Sequence, residues 1–224
     1  MPITRPDSTI RKWAGVNIDV NDRRMLQARL EVLVNELQHR ARNLLGVVAA
    51  IADRTVKRGG SVEAFEERLQ ALSRAQGLLS QNGSDTVEVG ALVRAELAAH
   101  VDELSDQIEV GGPPVLLTAR QVQNFALALH ELTTNAVKYG ALRNDTGRLA
   151  VTWDVTRDRR GRPRLSLGWI ETGIPVDPGQ ATRRGYGTEL IQQALPYALQ
   201  ASVGYVLGEN GVRCQIDMPI TCPV

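Results

Sequence analysis

The chain has 224 residues, 26 Lys and Arg against 25 Asp and Glu, and 43% hydrophobic residues, which fits one folded domain or two small ones and excludes a disordered or collagen-like chain. A net charge of +1 argues against a bulk electrostatic binder of nucleic acid. The longest apolar stretch, Leu44 to Ala52, is too short for a membrane span, which needs ~20 residues, and residues 1–10 lack the apolar run of a signal peptide.

Three zones are predicted. Residues 1–24 are polar, with Trp13, Val16, Ile18 and Val20 in partial alternation, which reads as one strand entering a turn at Asn21-Asp22. Residues 25–82 form a helical hairpin. Leu26, Leu30, Leu33, Leu37, Leu44, Val48 and Ile51 recur at spacings of three, four and seven. Gly59-Gly60-Ser61 breaks the pattern, with Ser61 as N-cap. Val62, Phe65, Leu69, Leu72 and Leu79 then continue it. Two long helices joined by a short loop are expected antiparallel. Their narrow apolar stripes need a further partner, and a second copy completes a four-helix bundle, so the periodicity predicts a homodimer. Packing of the hairpin on its own C-terminal zone is the plain alternative.

Gln81-Asn82-Gly83-Ser84-Asp85 reads as a linker. Residues 86–224 mix types. A helix is expected near Glu88 to Val101 and a strand at Val115 to Leu117. Thr118 and Gln121 form a capping box opening a helix to Lys138. Strands follow at 149–155 and 165–169, a helix at 188–198, and strands at 203–206 and 214–218. Early helices and late, hairpin-linked strands make an α+β sandwich, a sheet with helices on one face. Cys214 and Cys222 fit neither a disulfide framework nor a zinc site, which points to a reducing, cytoplasmic setting.

Four segments carry chemistry. His39 lies roughly 200° from Leu37 on its helix, off the apolar stripe, with Asn35 and Asn43 on its own face. An exposed neutral imidazole is a competent phosphoryl acceptor, and Arg40 and Arg42 attract phosphate. The plain alternative is a solvated surface histidine. On the helix ending at Lys138, taking Glu131 as origin, Asn135 falls at about 40° and Lys138 at about −20°, while Val122, Phe125, Leu129, Leu132 and Ala136 fall at about 100–180°. A carboxylate and an amide oxygen in line suit Mg²⁺, and the lysine suits phosphate; a solvated polar face is the alternative. His130 sits at the flank, where a buried hydrogen-bonded histidine is the ordinary reading. Glu171, leaving a strand just before Gly173, suits an exocyclic amine such as adenine N6, and Gly173 lets a ring approach the backbone. Gly185-Tyr186-Gly187-Thr188 before a helix forms an anion site from free N–H groups.

Together these segments resemble an HWE-type sensor histidine kinase of the GHKL ATPase superfamily. Residues 36–43, Glu-Leu-Gln-His-Arg-Ala-Arg-Asn, look like its phosphoacceptor box; residues 130–140, from His130 to Gly140, look like its N-box. Trp169-Ile170-Glu171 resembles the tryptophan-x-glutamate element, and Gly185 to Thr188 the second glycine box. Trp13 to Asp19 resembles the last strand of a PAS domain. The resemblance implies ATP and Mg²⁺ as cofactors. Asn135 and Glu131 would hold the metal, with Glu131 also counted among the catalytic groups. Lys138, Tyr139, Glu171, Gly173, Gly185, Gly187 and Thr188 would bind ATP. His39 would accept the γ-phosphoryl group and pass it to a receiver-domain aspartate of a response regulator. Arg40 stands directly after His39, so Glu36 is the nearest candidate base, and Ile174 occupies a position where glycine is usual. A non-catalytic phosphotransfer or scaffold protein with a degenerate ATP domain is the alternative function.

Overall fold

The computed structural model describes residues 2–4, 6–7, 10–13, 21–57, 59–81, 85–101, 106–174, 186–208 and 210–220. Two compact units divide the chain, Met1–Ala50 and Ile51–Val224.

In the first unit, β1 (Pro2–Thr4) pairs antiparallel with β2 (Ile10–Trp13), Ile3 opposite Lys12. This hairpin was not predicted, and beyond Trp13 the alternating positions read as a strand, Val16, Ile18 and Val20, lie outside the described residues. Most of the PAS-like segment, residues 14–19, lies outside the described residues. The turn predicted at Asn21-Asp22 is instead the first turn of α1 (Asn21–Lys57). An aspartate in a first helical turn complements the positive end of the helix dipole, which favours helix over turn there. Along α1, Leu26, Leu30, Leu33 and Leu37 are 54–66% exposed.

The second unit begins in the last turns of α1. Gly59 adopts φ +64°, and Gly59 and Gly60 donate to the Val56 and Thr55 carbonyls at 3.1 and 2.9 Å. A left-handed residue that returns N–H groups to the last carbonyls ends a helix, and glycine carries no Cβ penalty there. Ser61 Oγ accepts the Ala64 N–H at 3.2 Å as the N-cap of α2 (Val62–Gln81). Linker residues 82–84 lie outside the described residues. Next come β3 (Thr86–Glu88), α3 (Val89–Ala98), β4 (Ile108–Gly111) and β5 (Leu116–Thr118), which pairs with β3. Sequence reading missed β3 and β4, both of four residues or fewer. The predicted capping box is present at the start of α4 (Ala119–Lys138), where Gln121 Oε1 accepts the Thr118 N–H at 3.0 Å.

The main sheet runs β4-β6-β7-β9-β8, with β6 (Arg148–Arg157), β7 (Pro163–Thr172), β8 (Ser202–Gly208) and β9 (Gly211–Pro219). β4 lies parallel to β6; the remaining pairs are antiparallel. Register explains the core. Val151, Trp169, Cys214 and Tyr205 stand in one row across the sheet, and Trp153, Leu167, Ile216 and Val203 in the next. With a side-chain period of two, these rows share one face. Trp169, Leu167, Cys214 and Ile216 are completely buried, and each such large apolar side chain contributes ~1.5–3 kcal/mol by leaving water. The opposite face is polar: Ser166 donates to Asp217 and accepts from Gln215 Nε2 at 2.8 Å.

Helices α3 and α4 and the segment 186–199 cover the apolar face. That segment was expected from residue 188. It starts at Tyr186 and is divided: α5 (Tyr186–Glu189), a π-helical stretch over Leu190–Ala194, and α6 (Leu195–Leu199). α4 departs from expectation on its polar side. From Phe125 to Thr133 every residue is buried, because α2 packs over the flank that was predicted to face solvent.

Candidate functional site

His39 is exposed, as its angular position predicts, and Asn43 Nδ2 lies 3.3 Å from its Nδ1. Amide nitrogen and oxygen are interchangeable by a half-turn. With the Asn43 oxygen accepting Nδ1–H, Nε2 keeps its lone pair. Arg42 Nε donates to the Gln38 carbonyl at 3.3 Å, which tethers that guanidinium to its own helix. The Glu36 and Arg40 side chains lie outside the described residues.

In the second unit, the N-box residues sit on the last three turns of α4. Asn135 is half-buried, and among the described residues its amide has no hydrogen-bond partner. Lys138 is half-exposed, its Nζ 3.5 Å from Glu67 Oε2 on α2. Tyr139, the C-cap, is 72% exposed. Glu131 differs from the sequence picture of a carboxylate open to solvent. It is 7% exposed, and Arg68 of α2 donates from Nε to its Oε1 at 2.7 Å. A buried carboxylate requires a partner of this kind.

Gly187 packs directly on Glu131. A Cβ at 187 would run into Glu131 Oε2, so only glycine lets this turn approach α4. Thr188, the next residue, is half-buried; Gly185 lies outside the described residues, as do residues 177–184, where the family resemblance implies an ATP lid. Thus the turn carrying Gly187 and Thr188 meets α4 at Glu131, one helical turn before Asn135.

Glu171 stands against the turn that follows the C-terminal end of α4, and Gly173 lies two residues beyond Glu171. Glu171 is 3% exposed; its Oε2 accepts the Ala141 N–H and its Oε1 the Trp169 indole N–H, each at 2.9 Å. Burial raises its pKa above the ordinary value against these two bonds. Both elements of the tryptophan-x-glutamate pair therefore join strand β7 to the turn after α4, a structural duty that sequence reading did not foresee. Gly173 has φ +77°, and a Cβ there would lie 2.8 Å from the Thr146 carbonyl oxygen.

The sequence also missed a polar cluster beside the N-box. His130 is 2% exposed, and its Nδ1 lies 2.9 Å from Glu96 Oε1 of α3. Arg74 of α2 donates to both Glu96 oxygens, at 2.7 and 3.2 Å, and His100 Nε2 lies 3.4 Å from Oε1. Burial would raise the Glu96 pKa, yet hydrogen bonds from His100, His130 and Arg74 together hold it well below the usual carboxylate range. A signal was available. Arg68 stands three residues after Phe65 and four before Leu72, and Glu96 three after Val93. Charged residues at apolar-stripe positions announce buried ion pairs.

The HWE histidine kinase family profile matches residues 36–114. Blue-light-activated histidine kinases of Brucella anthropi and Brucella ovis are each 31% identical, over 214 and 211 residues, covering 94% and 92% of this chain. The chain spans 43% of the length of both relatives. Among solved structures, the histidine kinase domain of the Erythrobacter litoralis blue-light-activated histidine kinase aligns with TM-score 0.55 at 20% identity, covering 87% of this chain and 94% of that one. A larger structure of the same protein aligns with TM-score 0.59 at 18% identity, covering 86% and 60%. At such identities the likeness establishes the fold, while the sequence matches run from the acceptor box through most of the sandwich. This chain belongs to the HWE histidine kinases.

Proposed function

We propose that the chain is the kinase core of a two-component sensor, which uses Mg-ATP to phosphorylate His39 and passes the phosphoryl group to an aspartate of a response-regulator receiver domain. The observation that carries this reading is His39, an exposed ring with one nitrogen beside Asn43 and the other unengaged among the described residues. The residues at the α4 site suit magnesium nucleotide in their chemistry. The Asn135 amide oxygen is a hard ligand with no partner among the described residues, the kind Mg²⁺ takes. Glu131 offers a second oxygen once Arg68 releases it, and Lys138 supplies a cation for phosphate. Bound Mg²⁺ would neutralise charge on the transferring phosphate; positioning supplies the remainder of catalysis in such reactions. Glu171, Gly173, Gly185, Gly187, Thr188 and Tyr139 are assigned to ATP by family resemblance. The exposed leucines of α1 fit a homodimer interface.

Incubation with γ-labelled ATP and Mg²⁺ tests the reading. An acid-labile, base-stable label lost in His39→Ala and in Asn135→Ala is expected; label that persists in His39→Ala defeats it. The Arg68–Glu131 pair favours a second reading, a phosphotransfer protein whose ATP face is closed by its own arginine. That protein would show no label from ATP yet accept phosphate at His39 from a phosphorylated receiver domain.

A further inference from the structure

The Glu96, His100 and His130 cluster lies outside the chemistry proposed for His39 and ATP, and its geometry is more specific than packing requires. Three potential ligand atoms converge: Glu96 Oε1, His100 Nε2 and His130 Nδ1. They are separated by 2.9, 3.4 and 3.3 Å, and the three residues form a group able to hold a metal ion. Tetrahedral zinc with bonds of ~2.0–2.1 Å holds its ligand atoms ~3.3 Å apart. The three separations bracket that edge, so small side-chain adjustments set the atoms at one face of a zinc tetrahedron.

Glu96 Oε1 is the shared acceptor for His100, His130 and Arg74. A cation at the centre takes one lone pair each from Glu96 Oε1, His100 Nε2 and His130 Nδ1. The ligand set matches a metal as well: two imidazoles and one carboxylate, a combination that holds zinc with a fourth position open. Access comes from the His100 side, whose side chain is 20% exposed while the Glu96 and His130 side chains are 3% exposed.

We propose that Glu96, His100 and His130 form a zinc-class transition-metal site between α3 and α4, with a water as the fourth ligand. Arg74 is the competitor built into the protein, because its Nη2 shares Glu96 Oε1 at 2.7 Å. A divalent ion on that oxygen repels the guanidinium. Metal loading therefore weakens the hold of α3 on Arg74 of α2, the helix that also places Arg68 on Glu131.

Titration of the metal-free full chain with Zn²⁺ against a chromophoric chelator tests the site, with Mg²⁺ as the non-competing control. One equivalent is expected to bind. His100→Ala is expected to lower the affinity at least ~100-fold, since loss of an outer-shell partner alone costs ~10–100-fold. His39→Ala leaves it unchanged, and Arg74→Gln raises it by removing the competing cation. X-ray absorption of the zinc-loaded chain should show nitrogen and oxygen ligands with imidazole scattering. His100 is partly exposed, so its replacement is compatible with folding, and unchanged circular dichroism verifies this. No stoichiometric binding by the wild-type chain, equal affinity in His100→Ala, or a sulfur ligand would overturn the assignment.

Discussion

Helices α1 and α2 carry the same leucine spacing and meet opposite fates. On α2, Leu72 is 2% exposed and Ala71 and Ala75 are completely buried; on α1, Leu30 and Leu33 are 54% and 59% exposed. The difference lies in what accompanies the stripe. α2 interleaves Arg68 and Arg74 with its apolar positions, and both find carboxylates, Glu131 on α4 and Glu96 on α3. Among the described residues, the leucines in the first turns of α1 have no such ion pair between them. Periodicity therefore reports that a face requires cover. The charges within the face report what covers it.

Breaking the charge pairing of α2 should have the largest effect. Arg68→Ala leaves Glu131 buried without its guanidinium, and losing one partner of a buried pair costs ~3–5 kcal/mol. Urea denaturation of the variant measures this. Arg68→Ala with Glu131→Gln should recover much of the loss, because no unpaired charge remains. A cost below ~1 kcal/mol for Arg68→Ala would mean that the Glu131 site is open to water.

The apolar half of the comparison comes next. Leu72→Ala should cost ~2–5 kcal/mol through transfer and cavity terms. Leu33→Ala, on an exposed stripe, should alter the unfolding free energy of the dilute chain by no more than ~0.5 kcal/mol. If the α1 stripe is the dimer interface, Leu33→Asp shifts the chain toward monomer in sedimentation while leaving that unfolding free energy in place. Equal costs for Leu72→Ala and Leu33→Ala would erase the distinction between the two helices.

Much of this was legible in the sequence, for physical reasons that also mark where legibility stopped. The capping box at Thr118 and Gln121 is a local device, set by residues three apart, and it lies where the spacing places it. Ser61 ends its loop as expected. The sheet rows through Val151, Trp169 and Cys214 follow from alternation. β3 and β4 escaped because three or four residues hold too little alternation to register. In the candidate site, the order of motifs was readable, and the angular argument put Glu131, Asn135 and Lys138 on one side of α4. What covers that side was not readable, because Arg68 and Glu131 are 63 residues apart. Glu171 escaped for a similar reason. Its partners, the Ala141 N–H and the Trp169 indole, depend on how β7 meets the turn after α4.

Acid sharpens the comparison on the α3 side. The Glu96 pKa is lowered from 4.5 in the folded chain, so an unfolded chain binds the proton first as pH falls. Its contribution is therefore fully present above pH 4.5 and declines progressively below it. One such group adds at most ~1.4 kcal/mol per pH unit. Glu171 works in the opposite sense. Burial raises its folded pKa, so its contribution is present below 4.5 and lost as pH rises through the folded value. Unfolding free energy measured from pH 6 to pH 3 should fall with acid in the wild-type chain, and Glu96→Gln should remove part of that slope while Glu171→Gln steepens it. Identical slopes in the three proteins would dissociate Glu96 from its network.

The smallest effect is local and tests whether α2 depends on its own start or on its partners. Ser61→Ala removes the acceptor of the Ala64 N–H, and loss of an N-cap costs ~1 kcal/mol. Ser61→Asp restores an acceptor and adds negative charge at the positive end of the helix. Thermal melts should rank the aspartate variant level with or above the wild type, and the alanine variant below both. That ranking is small beside the Arg68→Ala cost because α2 is held by distant side chains. An alanine effect as large as that of Arg68→Ala would reverse the argument, making the helix start rather than its paired face the principal hold on α2.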